Sequence, residues 1–150
     1  MLGVLAALAL AGCASDEALV ARDAVTAVST ADAGAAATMI SAYRVAHGLS
    51  PVTVDSRLNR AAEHQARAVA AAGRLSHGDF SGRMSDYGIP GYAAENLSAG
   101  SPNVDGAIAR WKASPGHNGN LLMPQARSIG LARADARGGY GRYWALVLGQ

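Results

Sequence analysis

Cysteine is nearly absent from this 150-residue chain, which has one, Cys13. A single thiol closes no internal disulfide and cannot supply a thiolate zinc cluster, so neither device holds the fold. Lysine is as scarce: Lys112 is the only one, and arginine carries almost all of the positive charge behind a formal net charge of +2. The arginines are scattered and form no basic run, so the electrostatic footprint of a nucleic-acid-binding protein is missing. Charged residues make up 16% of the chain and aromatics 5%, whereas half is apolar, much of that alanine. The core must therefore combine many small side chains with a few large anchors, Trp111 and Trp144 foremost. The length suits one domain with a real core.

The longest apolar stretch is Met1 to Gly12. It is too short to span a bilayer as a helix, which takes about 20 residues. It matches the apolar core of a secretory signal, although the usual basic start is missing. Leu10-Ala11-Gly12-Cys13 looks like a bacterial lipobox. That resemblance implies cleavage before Cys13 and diacylglyceryl transfer to its thiol; the other reading is a buried cysteine in an apolar helix. Each buried methylene of an acyl chain adds about 0.8 kcal/mol, so two or more chains, such as palmitate, would anchor the protein firmly to a membrane. Ala14 is not aspartate, so the enteric signal for inner-membrane retention is absent. Residues 13–37 read as lipidated cysteine and tether, rich in Ala, Ser, Thr and Asp.

From residue 38 the pattern becomes periodic. Ile40 and Tyr43 with Ala46 or His47 have helical spacing, with Thr38 as cap and Gly48 as stop. Leu58, Ala62, Gln65 or Ala66, and Val69 lie on one face of a second helix. Asp55 or Ser56 starts it and Gly73 ends it. Loop and a short helix fill 74–90, and a loop fills 99–103. Val104, Ala107, Ile108 and Trp111 make a third helix, capped by Asn103 and ended at Pro115-Gly116. Ser128 to Ala134 and Arg142 to Leu148 read as strands, and Gly138-Gly139 between them predicts an antiparallel hairpin. Helices on a small antiparallel sheet give an α+β domain over 38–150.

Several short pieces recur in one order. They are Tyr43-Arg44, Gly48-Leu49-Ser50-Pro51, Ala61-Ala62 with His64-Gln65-Ala66, Leu75-Ser76-His77 and Glu95-Asn96-Leu97. Then follow Trp111 with Ser114-Pro115-Gly116-His117 and Asn120-Leu121-Leu122, Ile129-Gly130-Leu131, and Tyr143-Trp144. Together they resemble the bacterial branch of the CAP superfamily (cysteine-rich secretory proteins, antigen 5, pathogenesis-related proteins), also called the SCP domain. The resemblance implies a three-layer α-β-α sandwich placed outside the cytoplasm. It also implies a cleft in which two histidines and two acids meet, a set that holds a divalent metal in some members. His77 and Glu95 carry over as the first histidine and first acid. The second acid would fall near Ser114 and the second histidine near Tyr143, where this chain has neither. His117 belongs to the bacterial Ser-Pro-Gly-His pattern.

His77, Glu95 and His117 are therefore the candidate site, with Ser114, Tyr143, Asn96 and Trp111 lining it. Two imidazoles and a carboxylate with an open fourth position suit zinc or another divalent cation. The competing reading makes Glu95 a structural acceptor that ties loops together. A hydrolase has little to build on: no HExxH and no GxSxG is present, and only Glu95 lies in the motif region to serve a glycosidase. His64 reads as a packed or half-exposed helix residue and His47 as surface. Arg44 reads as paired to an acid at the core edge or solvated. The functional expectation is a lipid-anchored module outside the cytoplasm, binding a metal, a lipid or an envelope component. A metal-assisted hydrolase and a protein-interaction scaffold are the alternatives.

Overall fold

The computed structural model describes residues 24–150. Cys13 and the apolar start lie outside the described residues. The order is β1 (Val25–Ser29), α1 (Ala33–Ala46), β2 (Thr53–Val54), α2 (Ser56–Ala72), α3 (Phe80–Asp86), β3 (Ala93–Ala99), α4 (Val104–Ala113), α5 (Pro115–Leu121), β4 (Ser128–Ala136) and β5 (Arg142–Gly149). The sheet runs β1-β4-β5-β3. These pairings are antiparallel; the two-residue β2 joins β4 in parallel.

β5 shows why the sheet can be covered on both sides. Its side chains alternate between faces with the period of a strand. Trp144, Leu146 and Leu148 pack with Ile129 and Leu131 against α1, α4 and α5. Tyr143, Ala145 and Val147 pack with Ala132 and Ala134 against α2 and α3. The result is the three-layer α-β-α sandwich, with the β4–β5 hairpin at its centre. The turn works because Gly138 and Gly139 take φ values of 82° and 57°, which residues with a side chain rarely adopt.

The central helix α2 starts where Asp55 accepts hydrogen bonds from the Arg57 and Leu58 amides, and stops at Gly73, with φ 65°. It lies very close to β4. A Cβ on Gly130 would stand 2.0 Å from the Leu58 carbonyl carbon, so only glycine fits there. The neighbouring Asn59 Oδ1 accepts the Leu131 amide at 3.0 Å, which secures helix to strand.

Two expectations are corrected and one element is added. The segment read as tether to Ala37 contains a strand and the start of a helix. β1 pairs with β4, with Val25 and Val28 packed on the α2-side core, and Ala33, Ala36 and Ala37 are buried in the opposite core. Alanine carries too little apolar contrast to mark a buried face by periodicity, so the pattern hides that α1 begins at Ala33, before Thr38. Arg44 is neither solvated nor paired to an acid: it is fully buried and donates to the carbonyls of Ser50, Leu121, Met123 and Ala126. The third helix read from the sequence, α4, ends at Ala113, before Pro115-Gly116, as expected, but a helix that was not expected follows it. Ser114 is extended between α4 and α5, and Pro115 opens α5 at its first position, where a missing N–H costs nothing.

Candidate functional site

β3 is an edge strand and organises the site. Its register with β5 sets Glu95 opposite Val147, Leu97 opposite Ala145 and Ala99 opposite Tyr143. Side chains of Leu97 and Ala99 join the core beneath α2 and α3, and Glu95 shares their face. Asn96 and Ser98 face the other layer.

Glu95 is buried and both its oxygens are engaged. Oε1 meets His77 Nδ1 at 2.8 Å, and Oε2 meets the Arg83 guanidinium at 2.5 Å. Arg83 is itself buried, reaches the His77 carbonyl at 3.2 Å, and lies over the Phe80 ring at 5.6 Å from its centroid. α3 thus delivers a cation to a buried carboxylate. The carboxylate in turn fixes the His77 ring by Nδ1. The His77 side chain remains 55% exposed, so its Nε2 is left for chemistry.

Asn96 has a different duty from the lining role expected of it. It is fully buried, donates to the His117 carbonyl at 2.9 Å and accepts from Asn120 at 2.9 Å. Those bonds clamp α5 to β3. Tyr43 adds a third tie, donating to Asn118 Oδ1 at 2.8 Å. His117 is consequently held at the wall of the site. Burial lowers its pKa, and the nearby His77 charge lowers it further, so the neutral imidazole is favoured.

A cleft of about 540 Å³ opens beside these groups. Trp111, Ser114 and His117 line one side, the β3 edge from Leu97 to Ala99 forms the floor, and Gly73–Leu75 and Tyr140 close the ends. Ser114 and Trp111 thus line the cleft. Tyr143 does not: it is wholly buried under α2, and its hydroxyl accepts the Tyr140 amide. The tyrosine at the cleft is Tyr140, and the alternation of β5 explains the exchange, since odd positions of that strand point into the α2-side core. Arg74, Arg83, Arg110 and Tyr140 carried no sequence signal of their own. His64 and His47 lie away from the cleft, bonded to the Tyr87 hydroxyl at 3.3 Å and the Tyr43 carbonyl at 2.8 Å.

The residues present do not fit a divalent metal held by His77, Glu95 and His117. Among the described residues no group of three His, Cys, Asp or Glu side chains is disposed to hold one. The Glu95 oxygens already serve a guanidinium and an imidazole, and a positive guanidinium 2.5 Å from the carboxylate opposes a second cation there.

The cysteine-rich secretory protein (CAP) family matches residues 37–148. The chain belongs to that family, although it keeps a single cysteine. No curated protein matches the sequence. Among solved structures, an outer surface protein of Borrelia burgdorferi is similar at TM-score 0.67 and 19% identity, over 75% of this chain and 87% of that one. An extracellular SCP-domain protein of Bacillus anthracis gives 0.68 and 20%, over 77% of this chain but 39% of the other. The CAP domain of enterococcal PrgA gives 0.62 and 14%, over 91% and 70%. The chain thus spans less than half of the Bacillus protein. These likenesses show the fold. No helix among the described residues is long and apolar enough to cross a membrane.

Proposed function

We propose that the protein is a ligand-binding CAP module outside the cytoplasm, anchored to the membrane or outer membrane by acyl chains on Cys13. The cleft beside His117 carries this reading: about 540 Å³ lies within the size of small-ligand sites, about 300–1,000 Å³, and Trp111 gives it an apolar wall. The extracellular and surface proteins of the same fold support the location. Two measurements test the two halves. Palmitate labelling of cells expressing the chain should mark the wild type and not Cys13→Ser. Native mass spectrometry of the protein from cell envelopes should find a bound small molecule that Ser114→Trp, which fills the cleft, excludes; an adduct-free wild type sinks the binding half.

One observation favours a second reading, proton transfer. Glu95 orients His77 by Nδ1, and the half-exposed ring leaves Nε2 to take a proton from water or a substrate hydroxyl. This is a metal-free hydrolase reading. Across a panel of peptides, esters and glycans, turnover should fall at least about a hundredfold in His77→Ala, the scale of a general base. Turnover indifferent to His77→Ala and Glu95→Gln removes the enzyme. Zinc exposure in the same native spectra is expected to add no metal that depends on both His77 and His117.

A further inference from the structure

The free edge of β3 is unequally satisfied. Gly100 donates to Arg142 across the β3–β5 pair, so even-numbered residues of β3 face β5 and odd-numbered ones turn their N–H and C=O outward. The outward carbonyls of Glu95, Leu97 and Ala99 are taken by side chains. Asn120 donates to Glu95 at 3.3 Å, the Trp111 indole to Leu97 at 3.0 Å, and Arg110 to Ala99 at 3.1 Å. The outward amides of Leu97 and Ala99 meet no acceptor among the described residues, although both residues are buried and both line the cleft. Buried amides are nearly always paired, so two bare ones on a cleft wall await an oxygen from outside the chain.

Charge points the same way. The lining holds two guanidiniums, Arg74 and Arg110, and no carboxylate. Leu75, Leu97 and Trp111 supply apolar wall between them. The cleft offers donors and positive charge, and selects a ligand rich in acceptors with an anionic end and an apolar body. The two amides lie two residues apart on one strand, about 7 Å. An extended peptide presents its carbonyl oxygens on one side at that same period, whereas a fatty acid presents a single polar head.

We infer that this cleft captures an extended peptide by its free C-terminal carboxylate and an apolar last side chain. The inference rests on the cleft being a ligand site and names the ligand class. Arg74 meets the carboxylate, and the Leu97 and Ala99 amides meet the peptide oxygens. Arg74 makes no hydrogen bond to the described residues, so its replacement leaves the fold intact.

The test is calorimetric titration of the full chain in detergent with N-acetyl-Ala-Ala-Leu, its C-terminal amide, and octanoate. The free acid should bind at least about tenfold tighter than the amide, the scale of one charged hydrogen bond, and tighter than octanoate. Arg74→Gln should remove that preference, bringing the acid down to the affinity of the amide. Equal binding of acid and amide, or octanoate binding as tightly as the peptide, overturns the inference yet leaves a ligand site. No saturable binding by any of the three also overturns it, and the native spectra then decide whether the cleft binds anything at all.

Discussion

At Arg44 a full positive charge sits in the core without a carboxylate. Burial pushes its pKa down, and Arg127 adds a smaller repulsion. Four carbonyl contacts hold the charge, and they come from the turn after α1 and from the chain between α5 and β4. The side chain therefore ties these two segments together. Arg44→Met keeps the volume but strands those carbonyls, and should cost about 3–5 kcal/mol in denaturant midpoint experiments. At His117 the relevant quantity is pH. Its folded pKa lies below the ordinary 6.5, through burial first and the His77 charge second. As pH falls below that ordinary value the unfolded chain takes the proton first, so stability is lost down to the depressed folded pKa and levels off beneath it. Thermal unfolding followed from pH 7 to pH 4 should show a shallower fall in His117→Gln than in the wild type; parallel curves would exclude this imidazole as the source.

Among the elements, α2 and β4 make the closest approach. Gly130 lies under the Leu58–Asn59 backbone, and that backbone cannot yield as a flexible side chain could. Gly130→Ala should therefore destabilise by about 3 kcal/mol or more, read as a lowered melting temperature with the sheet signature retained at low temperature. Removing a methyl-sized gap elsewhere in these alanine-rich cores would do far less. The same closeness explains the composition: Ala61, Ala62, Ala66 and Ala70 of α2 meet Ala132, Ala134 and Ala145 of the sheet, and larger side chains would push the layers apart. α5 shows the complementary strategy. Seven residues with one buried apolar anchor, Leu121, cannot hold their place by burial, and Asn96, Asn120 and Tyr43 hold it by hydrogen bonds.

For the whole molecule, the two cores share β4 and β5, so neither layer has a sheet of its own to keep. Both tryptophans belong to the core under α1, α4 and α5, while Tyr143 belongs to the one under α2 and α3. Tryptophan fluorescence, which reports the core under α1, α4 and α5, and far-ultraviolet dichroism, to which the helices of both layers contribute, should lose their native signals at the same denaturant concentration. Midpoints that separate would show two independent layers. The site follows from this sharing as well: α2 and α3 bring Arg83 and His77 to one face of β3, and α4 and α5 bring Trp111 and His117 to its edge.

Local chemistry was enough to read α2, α4 and the β4–β5 hairpin from the chain. A cap at Asp55 or Asn103, a 3.6-residue apolar stripe and a Gly-Gly turn act over a few neighbouring residues, and those are written in order along the sequence. The ordered motifs also marked His77, Glu95, Ser114 and His117. What filled the second valence of Glu95, which tyrosine met the cleft, where Arg44 went and that Val25–Ser29 joined the sheet were all decided by tertiary structure. Most of these rest on pairings of distant groups, such as Glu95 with Arg83, 12 positions apart, Arg44 with Ala126, 82 apart, and Val25 with Ala136, 111 apart. No local pattern encodes such a pairing, because its energy exists only once the layers have closed on the sheet.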